Sequence, residues 1–551
     1  MNMNRSRVTR EAPLDKDKSI WPMADGVWHG PRVFSLVAFF AFSLHLGLGL
    51  SPASADSSNL AERVIEHKLA NGMTVLMVER HQTPVVSINM TFGVGGINEQ
   101  VGQTGLAHLY EHMAFKGTRT VGTRDYAKEQ AVLDELTKVG TELESREREE
   151  AAQAQVAGKS AAPSKELEAL HHRFKELQEQ AGQYVVGNEM AMLYQRHGGV
   201  GLNASTGKDI TRYVISLPAN RLPLWAALES DRMAHPVLRE FYKERGVVME
   251  ERRLRTDDSP NGLLYETFTS TAFQAHQYGV PTIGWGSDIL SLTPAATETF
   301  FKTYYGPNNA TVAIVGDINP KEVIALIEST FGTIPAAPPI PPLVTEEPPQ
   351  RGERRVEVEF DAEPAVAMGY HKPTIGHPDD FVFDVIDAVL TEGMTSRLYS
   401  KLVRDKRLAA GVMSDTNYPG VRAPNLFVLA ATPLAPHTTA EVEAAIYEEL
   451  ERLKTEPVSP KEFERVLNGL DADLVRSLRS NSGLASQLSF YQTVAGSWRY
   501  VLEARARIAA VTPADVQRVA TQYLTKSNRT VGILVKKPSD KKVASAGEVA
   551  R

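Results

Sequence analysis

A chain of 551 residues is too long for a single hydrophobic core and predicts more than one domain. Its 67 acidic and 60 basic residues leave a formal charge of −7, which gives no electrostatic basis for binding nucleic acid. There is no cysteine, so disulfides, thiol nucleophiles and thiolate metal sites are excluded, and a transition metal would have to rest on His, Asp and Glu.

The first element in chain order is an address. Arg5, Arg7, Arg10 and Arg32 precede an apolar run over 33–50, and Ala53-Ser54-Ala55 supplies a small-residue cleavage pattern. This predicts an exported protein, periplasmic in a bacterium, whose signal is cut near Ala55. An uncleaved anchor is the alternative, because a run of about eighteen residues is close to the shortest span. No later stretch is long and apolar enough to cross a bilayer, so the mature chain is expected not to span a membrane.

Residues 104–118 read TGLAHLYEHMAFKGT. On a helix, His108 and His112 lie one turn apart and can reach one metal ion. Glu111 shares their face, where a carboxylate can take a proton from water held by the metal without binding the metal itself. The order H-x-x-E-H is the inverse of the commoner zinc motif.

From 126 to 186 the sequence turns rich in Glu, Lys, Gln, Ala and Leu, with a break near 158–163. Leu167, Leu170, Phe174 and Leu177 follow 3-4-3 spacing, and Leu133, Leu136 and Leu143 follow it in part. The pattern predicts an inserted helical hairpin with a narrow apolar seam. It reads as a surface decoration holding none of the candidate ligands, and His171 and His172 read as solvated helix residues. Beyond it, EFYKERGVVMEERRLRTDD places Glu244 and Glu251 two turns apart on one helical face. Either could complete a His₂Glu site that leaves a position open for water.

An internal repeat divides the chain. TPAATETFFKTYYGPNNATVAIVGD from Thr293 and TPADVQRVATQYLTKSNRTVGILVK from Thr512 share Thr-Pro, an amphipathic helix, a tyrosine, an asparagine turn and a Thr-Val strand. Between them the proline-rich stretch IPAAPPIPPLVTEEPPQ over 334–350 reads as an extended linker. Strands at 311–315 and 426–430 and helices at 378–390 and 440–453 indicate an α+β fold of two homologous α/β-sandwich-like halves. The expected layout is a leader over 1–55, a zinc-binding half over 56–333, the linker, a non-catalytic half over 351–540 and a tail over 541–551. The second half has no H-x-x-E-H, and its His371, His377 and His437 lack ligand spacing and read as loop residues.

At these residues the chain resembles the pitrilysin or insulinase-type metallopeptidases, the group that includes the mitochondrial processing peptidases. HLYEHMAFKGT is similar to the family's zinc helix, ERGVVMEE to the segment with its third ligand, and LNASTGKDITRYVISLP to its active-site strand. The repeated halves match as well, so the resemblance covers about residues 60 to 537. It implies one zinc ion per chain on His108, His112 and Glu251, with Glu111 as general base. Glu244 becomes the second glutamate of the helix, grouped with the catalytic residues as a support that does not bind zinc. Asn203 and Ala204 fall on the strand that pairs with the substrate backbone.

Three departures stand out. The interval from His112 to Glu251 exceeds the family's usual one by about the length of the hairpin. Ser205 replaces the aromatic of N-A-F-T-S. Arg404 occupies the place of a substrate-contacting arginine, while Ala410 stands where its companion tyrosine is expected. The implied activity is zinc-dependent hydrolysis of unfolded peptides or small proteins, and the implied assembly is a dimer. The missing tyrosine suggests a heterodimer with a homologous zinc-less chain, or a homodimer in which Tyr418 substitutes. The competing reading is a non-catalytic scaffold or assembly subunit, which such a family also contains.

Overall fold

The computed structural model describes residues 60–158 and 162–537; the expected signal segment, its cleavage pattern and the tail lie outside the described residues. Among the described residues the first half forms a six-stranded sheet from β1 (Ile65–Lys68), β2 (Thr74–Glu79), β3 (Val85–Phe92), β4 (Val200–Thr206), β5 (Thr211–Pro218) and β6 (Ala310–Gly316), in the order β1-β2-β6-β3-β5-β4. The second half forms a five-stranded sheet from β7 (Arg354–Phe360), β8 (Ala365–Lys372), β9 (Ala409–Tyr418), β10 (Asn425–Pro433) and β11 (Arg529–Lys536), in the order β7-β11-β8-β10-β9.

Leaving β1 aside, the two orders are the same. In each sheet the last strand in sequence runs parallel to the first and antiparallel to the second. The chain is therefore α+β with two homologous halves, and the repeated segments explain the match. Thr293 caps the helix Pro294–Tyr304 and Thr512 caps the helix Pro513–Tyr523; each hydroxyl accepts a backbone N–H of the first turn. The helices then lead through short turns into β6 and β11. Every residue of β6 is buried, as a strand covered on both faces requires.

What covers the second face of each sheet comes from the other half. The helix Asn481–Ala495 sets Leu484, Ala485 and Leu488 against Leu76, Val78, Ala313 and Val315 of the first sheet. Reciprocally, the helix Pro260–Ala272 sets Leu264 and Phe268 against Val358, Leu534, Ala367 and Leu426 of the second. Phe268 is fully buried. Phe268→Ala is accordingly expected to cost about 3–5 kcal/mol in urea unfolding. A loss below about 1 kcal/mol would mean that the helix is not seated on the second sheet.

Polar anchors fix the halves further. Asp209, at the β4–β5 turn, accepts the Tyr278 hydroxyl at 2.7 Å and the Val421 backbone N–H at 2.6 Å. The linker is irregular throughout, and its Glu347 accepts backbone N–H groups of Gln274, Ala275 and His276 at 2.8, 2.9 and 3.1 Å. The reading of His371 as a loop residue is corrected: it lies in β8, with Nε2 3.0 Å from the Ala272 carbonyl.

The hairpin has a long arm, Tyr126–Ala157, and a short arm, Lys165–Gly182. Asp125 and Ser164 cap the arms, and Leu136, Leu143, Leu167 and Leu177 are buried along the seam. His171 and His172 are exposed and pair with Glu147 and Glu176. No helix among the described residues is long and apolar enough to cross a membrane.

Candidate metal centre

The motif helix, Leu106–Met113, buries Leu106, Ala107, Leu109, Tyr110 and Met113 in the first core, which leaves His108, Glu111 and His112 on the remaining face. Its start is built with care. Gly105 has φ +90° and lies so close to the Ile283 carbonyl that a Cβ would meet it at 2.6 Å, so only glycine fits. Glu99 accepts the Gly105 and Ala107 backbone N–H groups at 2.9 and 2.8 Å, capping the helix from a distance in sequence.

The ligand helix, Phe241–Arg252, anchors itself through Phe241 and Val248 and turns Glu244 and Glu251 toward the motif helix. Those carboxylates are only 8% and 7% exposed, which is costly for charges without partners. Partners are present. Glu251 sets Oε1 3.6 Å from His108 Nε2 and Oε2 3.3 Å from His112 Nε2. Ligand atoms of His108, His112 and Glu251 all lie within 4.8 Å of one another. Glu244 stands outside this group: its Oε1 is 3.0 Å from His112 Nδ1 and its Oε2 is 2.5 Å from Lys116 Nζ.

Two imidazoles and one carboxylate are the donor set of a first-row divalent cation such as zinc. The charge balance agrees. With both imidazoles neutral, Glu111, Glu244 and Glu251 face Lys116 and Arg255, one negative charge in excess. Without a cation the histidines divide the work. Burial, with His112 close by, pushes the His108 imidazole down to about 3. Burial also opposes charge on His112, yet hydrogen bonds to Glu244 and Glu251 push it up to about 10. The same contacts outweigh burial at Glu244 and Glu251 and hold both near 2. The residues present thus fit a bound metal, which would take over the role of the His112 proton.

Glu111 points toward β4. Its Oε2 accepts the Thr206 hydroxyl at 2.7 Å, and burial raises its carboxyl above the usual range. Thr206 Oγ1 is also 3.3 Å from Thr211 Oγ1, but that hydroxyl donates to the Val94 carbonyl and accepts from Tyr305. The single Thr206 proton therefore goes to Glu111. Asn203 and Ala204 pair with Val214 and Tyr213 of β5, and β4 is the last strand of its sheet, so among the described residues its other edge has no strand beside it. Ser205 Oγ accepts Arg212 Nε at 2.8 Å.

The second-half residues are elsewhere. Arg404 is exposed, and its guanidinium pairs with Asp405 at 2.7 Å; among the described residues nothing joins it to the histidine cluster. Ala410 is exposed on β9, the edge of the second sheet. The Tyr418 hydroxyl is 2.7 Å from Thr269 Oγ1 of the first half, so it is already engaged.

Lys116, Arg255, Thr206 and Glu99 escaped the sequence reading. Lys116 follows His112 by four residues and Arg255 follows Glu251 by four, at 2.8 Å, so helical spacing alone marked both. Arg245, Arg252 and Arg253, the arginines beside these acids in sequence, pair with Glu144, Glu266 and Glu250. No spacing rule reaches Thr206 or Glu99, which arrive from a strand and a loop.

Two sheets of one topology, with a His-His-Glu group on the helices beside the first, are the arrangement that the sequence resemblance implies. The family comparison agrees: the insulinase description, peptidase family M16, matches residues 74–176, and that of the peptidase M16 inactive domain matches residues 291–470. The chain belongs to this family. It is 29% identical over 508 residues to a zinc protease, PqqE, of Helicobacter pylori, covering 90% of this chain and 99% of the relative. YmxG of Bacillus subtilis, named an uncharacterized zinc protease, is 22% identical over 468 residues, 83% of this chain and 94% of the relative. Among solved structures, a protease from Helicobacter pylori aligns with a TM-score of 0.70 at 28% identity, over 86% of this chain and 99% of that one. The periplasmic protease PqqL of Escherichia coli shares the fold at a TM-score of 0.63 and 17% identity, over 86% of this chain and 48% of that one.

Proposed function

We propose that the chain is an exported zinc metalloendopeptidase that hydrolyses unfolded peptides. The observation that carries this reading is the convergence of His108, His112 and Glu251 beside Glu111, at the open edge of β4. Bound zinc would supply Lewis-acid polarisation of the scissile carbonyl and lower the pKa of water.

The chain's own residues do the rest. Glu111 accepts the proton of the attacking water and returns it to the leaving amine. Thr206, donating to Oε2, holds that carboxylate in one orientation. Glu244 accepts the His112 Nδ1 proton, which fixes the tautomer so that Nε2 presents its lone pair. The Asn203–Ala204 edge takes the peptide as an added strand, which selects extended and therefore unfolded substrates. Arg404 serves a chamber closed by a second chain, and Ala410 favours a partner that carries both Arg and Tyr. Export rests on the leader sequence.

Metal analysis tests the site. The purified chain should hold about one zinc, and His108→Ala, His112→Ala or Glu251→Ala should each lose it, because three protein ligands are the minimum for such a site. Full zinc occupancy in Glu251→Ala would move the third ligand to another residue, Glu244 being the first to examine.

A further inference from the structure

The hairpin touches the ligand helix along the flank that faces away from the motif helix. Glu244, Val248 and Glu251 lie on one face; Tyr242 and Arg245 lie about 100–160° around from it at 100° per residue. Both meet the hairpin. The Tyr242 ring packs edge-on against Phe174 of the short arm, with centroids 4.8 Å apart, and its hydroxyl occupies the space left by Gly140 of the long arm. Arg245 pairs with Glu144 of the long arm at 2.6 Å, both largely buried, and donates to the Leu292 carbonyl at 2.8 Å. Just before the helix, Arg239 is 1% exposed and pairs with Glu129 in the long arm's first turn at 2.6 Å. Its guanidinium also donates to the Lys116 and Thr118 carbonyls at 3.0 and 2.5 Å, in the loop that leaves the motif helix.

We propose that the hairpin is a brace: it presses the ligand helix onto the motif helix and so positions Glu251 for the metal. The inference rests on the zinc reading above and extends it to an insert that contributes no ligand. The surface-decoration reading of the hairpin fails on the same contacts. A decoration would meet the protein through its ends alone, whereas Gly140, Glu144 and Phe174 lie well inside the arms. Tyr242, Arg245, Glu144 and Phe174 are positioning residues, none of them touching the metal ligands' donor atoms. The contacts that reach the ligand helix run from Gly140 to Glu144 on the long arm and through Phe174 on the short one, which makes the brace the lower half of the hairpin.

The full chain is compared with three variants: Glu144→Gln with Phe174→Ala, Arg245→Lys, and replacement of residues 146–162 by a short Gly-Ser turn. Two quantities are read: the rate of zinc release to a chromophoric chelator, and amide hydrogen exchange of residues 241–252 in the zinc-free protein. The double variant should release zinc at least ten times faster and exchange those amides at least ten times faster, with exchange in β3 and β6 unchanged. Arg245→Lys keeps the ion pair and should stay near wild type, and so should the shortened hairpin. A folded double variant that matches wild type in both quantities overturns the brace, as does fast zinc release from the shortened hairpin. Should the double variant not fold, Glu144→Gln alone carries the same two readouts. If wild-type protein takes up no zinc, the metal reading fails, and exchange of residues 241–252 then decides the brace by itself.

Discussion

Replacing Glu111 by Gln is expected to leave zinc at the wild-type level while peptide hydrolysis falls by about two to four orders of magnitude. The side chain keeps its length and still offers the Thr206 hydroxyl an acceptor oxygen, so the local fold should be preserved. What disappears is the proton acceptor, because a carboxamide cannot take a proton from water near neutral pH. No ligand is lost, since Glu111 lies outside the His108–His112–Glu251 group. The loss should appear in kcat more than in KM, because the β4 edge that would hold the peptide is untouched. Metal content and steady-state kinetics on a quenched peptide read the two quantities separately. Turnover close to wild type would rule out Glu111 as the base, and a scaffold would show no turnover in either protein.

The largest expected effect on stability falls on Arg239. Arg239→Met should cost about 3–5 kcal/mol, the usual loss when one partner of a buried ion pair is removed. Glu129, fully buried, would be left with no counter-ion, and the Lys116 and Thr118 carbonyls would lose their donor. The double change Arg239→Met with Glu129→Gln should recover part of that loss, since it removes the stranded charge. Urea unfolding of the two variants gives the comparison. If the single variant loses less than about 1 kcal/mol, the loop after the motif helix is held by something else.

Much of this architecture could be read from residues a few positions apart. The motif helix, the Glu244–Glu251 face and the paired Thr-Pro segments are local patterns, and local patterns carry helical period and capping directly. The hairpin was visible for the same reason, through Leu167, Phe174 and Leu177. Contacts made across the fold left no such trace. Thr206 reaches Glu111 only because β4 ends beside the motif helix, and Glu99 caps that helix from a preceding loop. The crossed helices were hidden for another reason. Leu264 and Phe268, or Leu484 and Leu488, look like any apolar helix stripe, and nothing in the stripe says which half's sheet it will cover. The buried Arg239–Glu129 pair reads in sequence as two ordinary surface charges.

The exchange of helices between the halves also bears on how the chain is made. All six strands of the first sheet have been synthesised once Gly316 is added, but the helix that shields their outer face ends at Ala495. At about 5–20 residues per second the ribosome needs roughly ten to forty seconds to produce the stretch between them. Throughout that interval Leu76, Val78, Ala313 and Val315 lack the helix that covers them in the folded chain, and apolar surface left exposed in this way favours aggregation. If the chain is exported, as proposed above, the same delay helps, since a half that has not finished folding stays threadable until its second half arrives.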